Sequence, residues 1–184
     1  MIEGTLVRLR AIDMEDVDRY TEWFNDPEVT RHLSMRYQFA REAEEVWVRG
    51  QTSSMVTYGP LHFAVESKED GVQIGNVGFG QVLAENRKAR LGITIGDKRY
   101  WSRGYGTDTM ITMCRFGFDE MNLHRIDLTV NVENERAVRC YEKAGFTNEG
   151  RLRQAIFARG SYHDQFIMGV LRDEFYSKHP REDG

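Results

Sequence analysis

From Leu61 to Gly96 the apolar residues of this chain recur with a period of two. They do so in three runs, Leu61 to Val65, Gln73 to Val82 and Arg90 to Gly96, separated by the turn-rich segments Lys68 to Gly71 and Ala84 to Lys88. Successive side chains of a strand point to opposite faces, so this alternation is what a half-buried sheet requires. Connections this short join antiparallel neighbours, because parallel ones need a crossover of a dozen residues or more. The middle of the chain is therefore predicted to be an antiparallel meander onto which the flanking segments pack.

The preceding segment supplies a strand and two helical regions. Thr5 to Arg10 alternates polar and apolar residues, and Asp13 then has the character of a helix N-cap, with Asp16 in the first turn. Val17, Tyr20, Trp23 and Phe24 share one face of that helix. Pro27 starts a fresh turn. A second helical region, interrupted near Ser34 to Gln38, runs through Ala43, Val46 and Trp47 toward Gly50, and Gly59-Pro60 closes it. Beyond the meander, Met110, Met113, Cys114 and Phe118 recur at helical spacing after Gly104-Tyr105-Gly106. His124 to Val132 reads as a strand and Asn134 to Ala144 as a helix. Glu149 to Phe157 and Ser161 to Leu171 read as a closing pair of strands around an Arg159-Gly160 turn. The expected fold is α+β (α/β mixed), with a central, mostly antiparallel sheet of about seven strands flanked by helices. No repeat or linker divides it. A single domain over residues 1–176 and a polar tail over 177–184 are expected.

Composition narrows the function classes. A chain of 184 residues with 40% hydrophobic content can bury a core without staples. The net charge of −4 argues against a general binder of nucleic-acid backbones, which needs surplus Lys and Arg, so any anion site must be local. Cys114 and Cys140 lie in helical runs, outside any metal-ligand spacing, and read as reduced packing residues; no metal site is expected. No basic stretch followed by an apolar run opens the chain, and no apolar segment approaches the roughly 20 residues of a membrane span. A cytoplasmic location is the expectation, with neither membrane nor nucleic acid as partner.

The first segment with chemistry in it is Arg99-Tyr100-Trp101-Ser102-Arg103-Gly104-Tyr105-Gly106-Thr107, between a strand and a helix. Closely spaced glycines let backbone approach a ligand, and the free amides at a helix start favour a phosphate. Such a loop is equally a tight turn ahead of a helix. It is not a Walker loop, since Thr107-Asp108 follows Gly106 where Lys-Ser or Lys-Thr is required. A dinucleotide fingerprint would place Gly or Ala at Thr109 and a ribose-binding acid at the end of the next strand, whereas Asp127 stands at the beginning of its strand.

The second segment is Asn134-Glu135-Arg136-Ala137-Val138-Arg139-Cys140-Tyr141-Glu142-Lys143-Ala144-Gly145-Phe146. On a helix, Asn134, Ala137, Val138 and Tyr141 share a face opposite Glu135, Arg139 and Glu142. Ala137 is small enough to let a ligand pass. Gly145 can end the helix at positive φ, and Phe146 packs back onto the core. Asn134 also reads as an N-cap and Tyr141 as a core aromatic with a satisfied hydroxyl. The aromatics Trp23, Phe24, Tyr37, Phe39 and Trp47 read as core for the most part, and His32 and His163 as surface or structural residues.

Together these two segments resemble the GNAT superfamily of N-acetyltransferases. Arg103-Gly104-Tyr105-Gly106 matches the family's pyrophosphate loop, and Asn134 to Phe146 matches its Asn-x-x-Ala-x-x-x-Tyr-x-Lys-x-Gly-Phe helix without a gap. Asp26-Pro27-Glu28-Val29, Asn122-Leu123-His124-Arg125 and Gly150-Arg151-Leu152-Arg153 resemble the branch of ribosomal-protein N-terminal and spermidine acetyltransferases. The resemblance implies a splayed sheet and acetyl-CoA as cosubstrate. Backbone groups of Ile93, Thr94 and Ile95 would pair with pantetheine, the amides of Ser102, Arg103, Gly104, Tyr105, Gly106 and Thr107 would hold the pyrophosphate, and Trp101 would belong to the cofactor site beside them. Asn134, Ala137 and Lys143 would complete the cofactor site, and Tyr141 would protonate the leaving thiolate. Transfer would be direct, to a small-molecule amine or a protein N-terminus, without metal or covalent enzyme intermediate. A homodimer is plausible in such a family.

Two positions depart from the family pattern. Trp101 stands where many relatives have Gln or Arg, and Arg90 where numerous relatives have a glutamate, which leaves the general base unassigned. Arg90 opens two other readings, a non-catalytic acyl-CoA-binding module and a transferase for another acyl group such as succinyl.

Overall fold

In the computed structural model, which describes residues 1–33, 38–53 and 61–181, the meander forms as its alternation requires. Strands β3 (Leu61–Ser67), β4 (Gln73–Leu83) and β5 (Lys88–Ile95) pair antiparallel in sequence order. β2 (Val7–Arg10) pairs with the outer edge of β3, and β1 (Ile2–Glu3) folds back on β2. Among the described residues the sheet thus has eight strands, in keeping with the expected seven or so, and the additional one is the short β1. A two-residue strand has no period to read.

On the other side, β6 (Arg125–Asn131) runs parallel to β5, β8 (Ser161–Leu171) runs antiparallel to β6, and β7 (Thr147–Ala158) forms the far edge. The parallel contact joins only Lys88–Arg90 to Arg125–Asp127. Beyond it β5 stays with β4 to Ile95, while β6 stays with β8 to Asn131. The sheet therefore opens into a V between its two central strands. At the β7–β8 turn, Arg159 (φ 51°) and Gly160 (φ 80°) are both left-handed, as a two-residue hairpin demands.

Helices cover both faces. Asp13 accepts from the Glu15 amide at 3.2 Å and forms a capping box with Asp16 before α1 (Val17–Asn25), whose Val17, Tyr20, Trp23 and Phe24 are buried as expected. In α2 (Arg41–Ser53) the inward face carries Glu44, Trp47 and Val48, whereas Ala43 is exposed and Val46 is 68% exposed. The helix runs through Ala43, Val46 and Trp47 as expected, but of these Trp47 alone faces inward, and a polar Glu44 takes a buried position. The break expected near Ser34 to Gln38, the residue Tyr37 and the Gly59-Pro60 stop lie, apart from Gln38, outside the described residues. The crossover between β5 and β6 is α3 (Tyr105–Asp119), and α4 (Glu135–Ala144) follows β6. α5 (Arg172–Lys178) runs past the expected end of the domain at 176. Phe175 is fully buried, and the Lys178 ammonium donates to the Glu142 carbonyl at 2.5 Å, so this segment is tied down. Its single core residue left no period in the sequence.

Two apolar clusters result. Ala64 belongs to one and Val65 to the other, so they lie on opposite faces of the sheet. The larger packs α3 against the sheet through Met110, Met113, Cys114 and Phe118. No helix among the described residues is long and apolar enough to cross a membrane.

Close approach of α3 to the sheet depends on Gly117. A Cβ there would stand 2.8 Å from Phe79 Cζ, 3.1 Å from a Leu123 methyl and 3.2 Å from an Ile126 methyl, and all three residues are buried. Alanine would gain about 1 kcal/mol of helix propensity, but overpacking a closed core costs about 1–3 kcal/mol. Gly117→Ala is expected to lower the stability measured by denaturant unfolding by about 1 kcal/mol, and by no more than about 2 kcal/mol. A more stable variant would show that the helix can lift at no cost.

Candidate active site

The V in the sheet is the mouth of a cavity of about 660 Å³, lined by β4, β5, β6, the loop before α3, and α4. One wall is a strand edge without a strand beside it. The Gly96 amide donates to the Ile74 carbonyl at 2.9 Å, which sets the phase of the β4–β5 ladder. Alternate residues of an antiparallel strand point their peptide groups to opposite sides. Ile93 and Ile95 therefore turn theirs into the opening, while Thr94, opposite Asn76, turns its peptide groups to β4. Of the three residues expected to offer backbone to pantetheine, Ile93 and Ile95 have peptide groups that face the opening, and Thr94 lines the cavity with its peptide groups turned to β4.

The second wall is the loop before α3. Ser102 (φ 59°) and Gly104 (φ 92°) adopt left-handed conformations that reverse the chain into the helix. The Asp108 amide already bonds the Gly104 carbonyl at 2.9 Å, which leaves the amides of Tyr105, Gly106 and Thr107 as the unpaired first turn of a 15-residue helix. Asp108 anchors this turn, its carboxylate accepting from the amides of Thr5, Leu6 and Val7 at 3.2, 2.7 and 3.0 Å. Gly106 is a point of close approach, where a Cβ would lie 3.4 Å from Cys140 Sγ and 3.9 Å from Ile95 Cγ1.

The side chains of Arg103 and Tyr105 turn away from the cavity. Arg103 pairs with Glu69 at 3.3 Å, and the buried Tyr105 donates its hydroxyl to Glu69 at 2.8 Å. These two positions can contribute only backbone. Trp101 behaves differently: its indole N–H donates to the Ile95 carbonyl at 2.6 Å, and the Arg136 guanidinium lies 3.7 Å over its ring. Burial lowers the Arg136 pKa from its ordinary value, yet an arginine stays charged.

α4 forms the third wall. Asn134 is both an N-cap, accepting from the Ala137 amide at 3.3 Å, and a cavity residue, so its two readings coexist. Ala137, Tyr141 and Lys143 also line the cavity. The Tyr141 ring packs 6.2 Å from Phe146, and burial pushes its phenol pKa well up, keeping the proton on oxygen. Among the described residues nothing hydrogen-bonds that hydroxyl, which disfavours a purely structural tyrosine. Gly145 (φ 106°) ends the helix and Phe146 is buried, as their spacing implied.

Charge on this surface is one-sided. Among the described residues Arg90, Arg136, Arg139 and Lys143 line it against one carboxylate, Glu28, which itself holds Lys98 at 2.9 Å. Asp127 is 4% exposed and pairs with Lys88 and Arg90 at 3.2 Å and Arg125 at 3.7 Å, which makes it a buried counter-ion. His163 bonds Glu133 and Ser161 through its two ring nitrogens, a structural role as expected. Trp23 and Phe24 are core, and Phe39 and Trp47 pack against them. The sequence reading missed His62, Asn76, Asn131 and Gln165, which also line the cavity. Asn76 Oδ1 is buried without a hydrogen-bond partner among the described residues, and Gln165 donates to Asn131 Oδ1 at 3.0 Å. Their signal was available, since each is a polar residue inside a strand that is otherwise half apolar. Among the described residues no group of three His, Cys, Asp or Glu could hold a metal.

Known proteins share this architecture. The family model of the GNAT acetyltransferase domain matches residues 7–147. The uncharacterized N-acetyltransferase p20 of Bacillus licheniformis is 26% identical over 175 residues, covering 91% of this chain and 93% of that protein. The spermidine N(1)-acetyltransferase of Escherichia coli K12 is 28% identical over 174 residues, covering 94% and 90%. Among solved structures, the spermidine N-acetyltransferase of Vibrio cholerae, in complex with CoA and spermine, superposes with a TM-score of 0.84 at 24% identity, covering 94% of this chain and 99% of that one. The family model spans most of the chain, and the chain belongs to the GNAT acetyltransferases.

Proposed function

We propose that this protein binds acetyl-CoA across the V and transfers its acetyl group directly to the primary amine of a compact small molecule in the cytoplasm. The observation that carries the reading is the convergence, on one cavity, of a free strand edge, an unpaired helix start and a protonated tyrosine. Acetyl-CoA supplies an acyl group activated as a thioester. Ile93, and Ile95 through its amide alone because Trp101 occupies its carbonyl, pair with its amide-bearing arm as a neighbouring strand would. The amides of Ser102 to Thr107 hold the pyrophosphate at the positive end of α3. Asn134 hydrogen-bonds the arm, Ala137 leaves it room, and Lys143 adds positive charge. The β5 amides facing the carbonyl oxygen stabilise the charge that develops there, and Tyr141 gives its proton to the departing sulfur.

The acceptor follows from charge. A polyamine needs several carboxylates, but the lining offers only Glu28, and segments 34–37 and 54–60 contain no Asp or Glu. A single amino group on a neutral or anionic body suits the surface better. In assays reading free thiol release, monoamines and amino-acid amides should outrun spermidine by about tenfold or more in kcat/KM, the worth of one unmatched charge contact. Spermidine as the best acceptor, or a peptide N-terminus preferred over every small amine, would overturn this acceptor class.

Residue roles predict separable effects. Tyr141→Phe should lower kcat by about 10²-fold with little change in calorimetric acetyl-CoA affinity, because the lost hydroxyl acts in the transition state. Gly106→Val should weaken acetyl-CoA binding while the protein stays folded. Equal kcat in the first variant would leave protonation of sulfur to water, and equal affinity in the second would make the loop a mere turn. A homodimer belongs to the same reading. It is supported by the unpaired edge of β7 and by exposed Leu152, Phe157 and Tyr162, and sedimentation would test it.

A further inference from the structure

We propose that His62 is the base that takes the proton from the attacking amine. The proposal rests on the acetyl-transfer reading above and assigns a group that neither the sequence motifs nor Arg90 supplies. His62 lies on β3 and lines the cavity. Its Nδ1 is 2.8 Å from Gln51 Oε1, on α2. An amide oxygen only accepts, so Nδ1 carries the hydrogen and Nε2 presents a lone pair. Among the described residues no hydrogen bond engages Nε2.

The backbone gives that lone pair a path. His62 is paired with Gly78 on β4, and Gly78 with Gly92 on β5. Directly paired residues share a face of the sheet, so the imidazole and two glycines lie in one row. The ring leans along it: a Cβ on Gly78 would stand 2.2 Å from His62 Cδ2, the atom bonded to Nε2. At Gly92 nothing lies within 4 Å of a Cβ. The row spans two strand spacings, about 10 Å, and ends beside Ile93, where the arm of the cofactor would lie. That gap suits an amine held between the imidazole and the thioester. Any side chain at Gly78 or Gly92 would fill it.

The ring is packed by Trp47 at 5.7 Å and by Gln51 and Gly78, none of them charged. Of the titratable groups on the surrounding elements, Glu44 lies on the inward face of α2, and His32 and Arg90 line the same cavity; Arg41, Glu42, Glu45 and Arg49 of α2, Glu66 of β3 and Lys88 of β5 lie elsewhere on those elements. None of them contributes to the lowering of the His62 pKa below its ordinary 6.5, which burial alone produces. The imidazole is therefore neutral at pH 7 and able to accept. As the nitrogen–carbon bond forms, the amine proton passes to Nε2. The carbon–sulfur pair leaves on sulfur and takes the Tyr141 proton, and solvent returns the proton from His62 to Tyr141 between turnovers. Oxidation states do not change.

The test is the pH dependence of kcat/KM, with acetyl-CoA and the fastest amine of the panel above, for wild type, His62→Gln, His62→Ala and Gln51→Glu, each checked for acetyl-CoA binding by calorimetry. Wild type should lose rate as pH falls through a pKa below 6.5 that belongs to the enzyme. His62→Gln should bind acetyl-CoA normally, lose about 10²-fold in kcat and lose that acidic limb. Added imidazole should restore part of the rate to His62→Ala. Gln51→Glu places a carboxylate on Nδ1–H and should move the limb up by about one pH unit or more without depending on removal of the ring. A folded His62→Gln with wild-type rate and limb, or a limb unmoved in Gln51→Glu, would overturn the role of His62 alone. A wild-type protein that binds acetyl-CoA but acetylates no amine of the panel would overturn the transfer reading and His62 with it.

Discussion

Three paired residues hold the two halves of this sheet together. Where Lys88–Arg90 meet Arg125–Asp127, the carboxylate of Asp127 is almost fully buried and faces the cations of Lys88, Arg90 and Arg125. A buried carboxylate is costly to desolvate, and removing its partners leaves an uncompensated charge, so a cluster of this kind fixes one geometry more than it adds stability. Here it fixes the apex of the V. From that apex β5 follows β4 and β6 follows β8, and the twist of each half carries them apart. Arg125 also reaches Glu149 near the start of β7, so the same cluster ties in the outermost strand.

This accounts for Arg90, which looked anomalous as a residue and becomes ordinary as a partner. A glutamate at that register position would face Asp127 directly, and two carboxylates in a buried site repel. With Asp127 present, a cation at position 90 is what the apex permits, and proton acceptance has to come from elsewhere on the cavity wall. The glycine row from β3 to β5 lies on the side of the V where no ion pair is needed.

The parts of the fold that could be read from the chain are those with a repeat long enough to show. The meander, α1, α3, α4 and the β7–β8 pair each carry several apolar residues in register, and the structure has them within a few residues of expectation. β1 and α5 were invisible for the opposite reason, having two residues in one case and one core residue in the other. The inward face of α2 was not legible, because the polar Glu44 is buried on it while Ala43 and Val46 are exposed. Within the site, the loop and the α4 helix stood out because their chemistry is contiguous in sequence. His62, Asn76, Asn131 and Gln165 come from four different strands, and only the register of the sheet brings them to one cavity. The sidedness of Thr94 is likewise a matter of ladder phase, which a sequence does not carry.

Trp101 joins the site's separate pieces. Its indole N–H occupies the Ile95 carbonyl, the last acceptor on the open edge, so the edge ends there and Ile93 becomes its centre. Its ring supports the Arg136 guanidinium from α4 at 3.7 Å, a contact worth about 0.5–2 kcal/mol according to how far it is desolvated. The end of β5, the loop before α3 and the first turn of α4 are thus coupled through one side chain. A glutamine could make the hydrogen bond without supporting the cation, and an arginine would repel it. The departure at this position is consistent with a site in which Arg136 is stacked, and the stack places a fixed positive charge at the rim of the cavity.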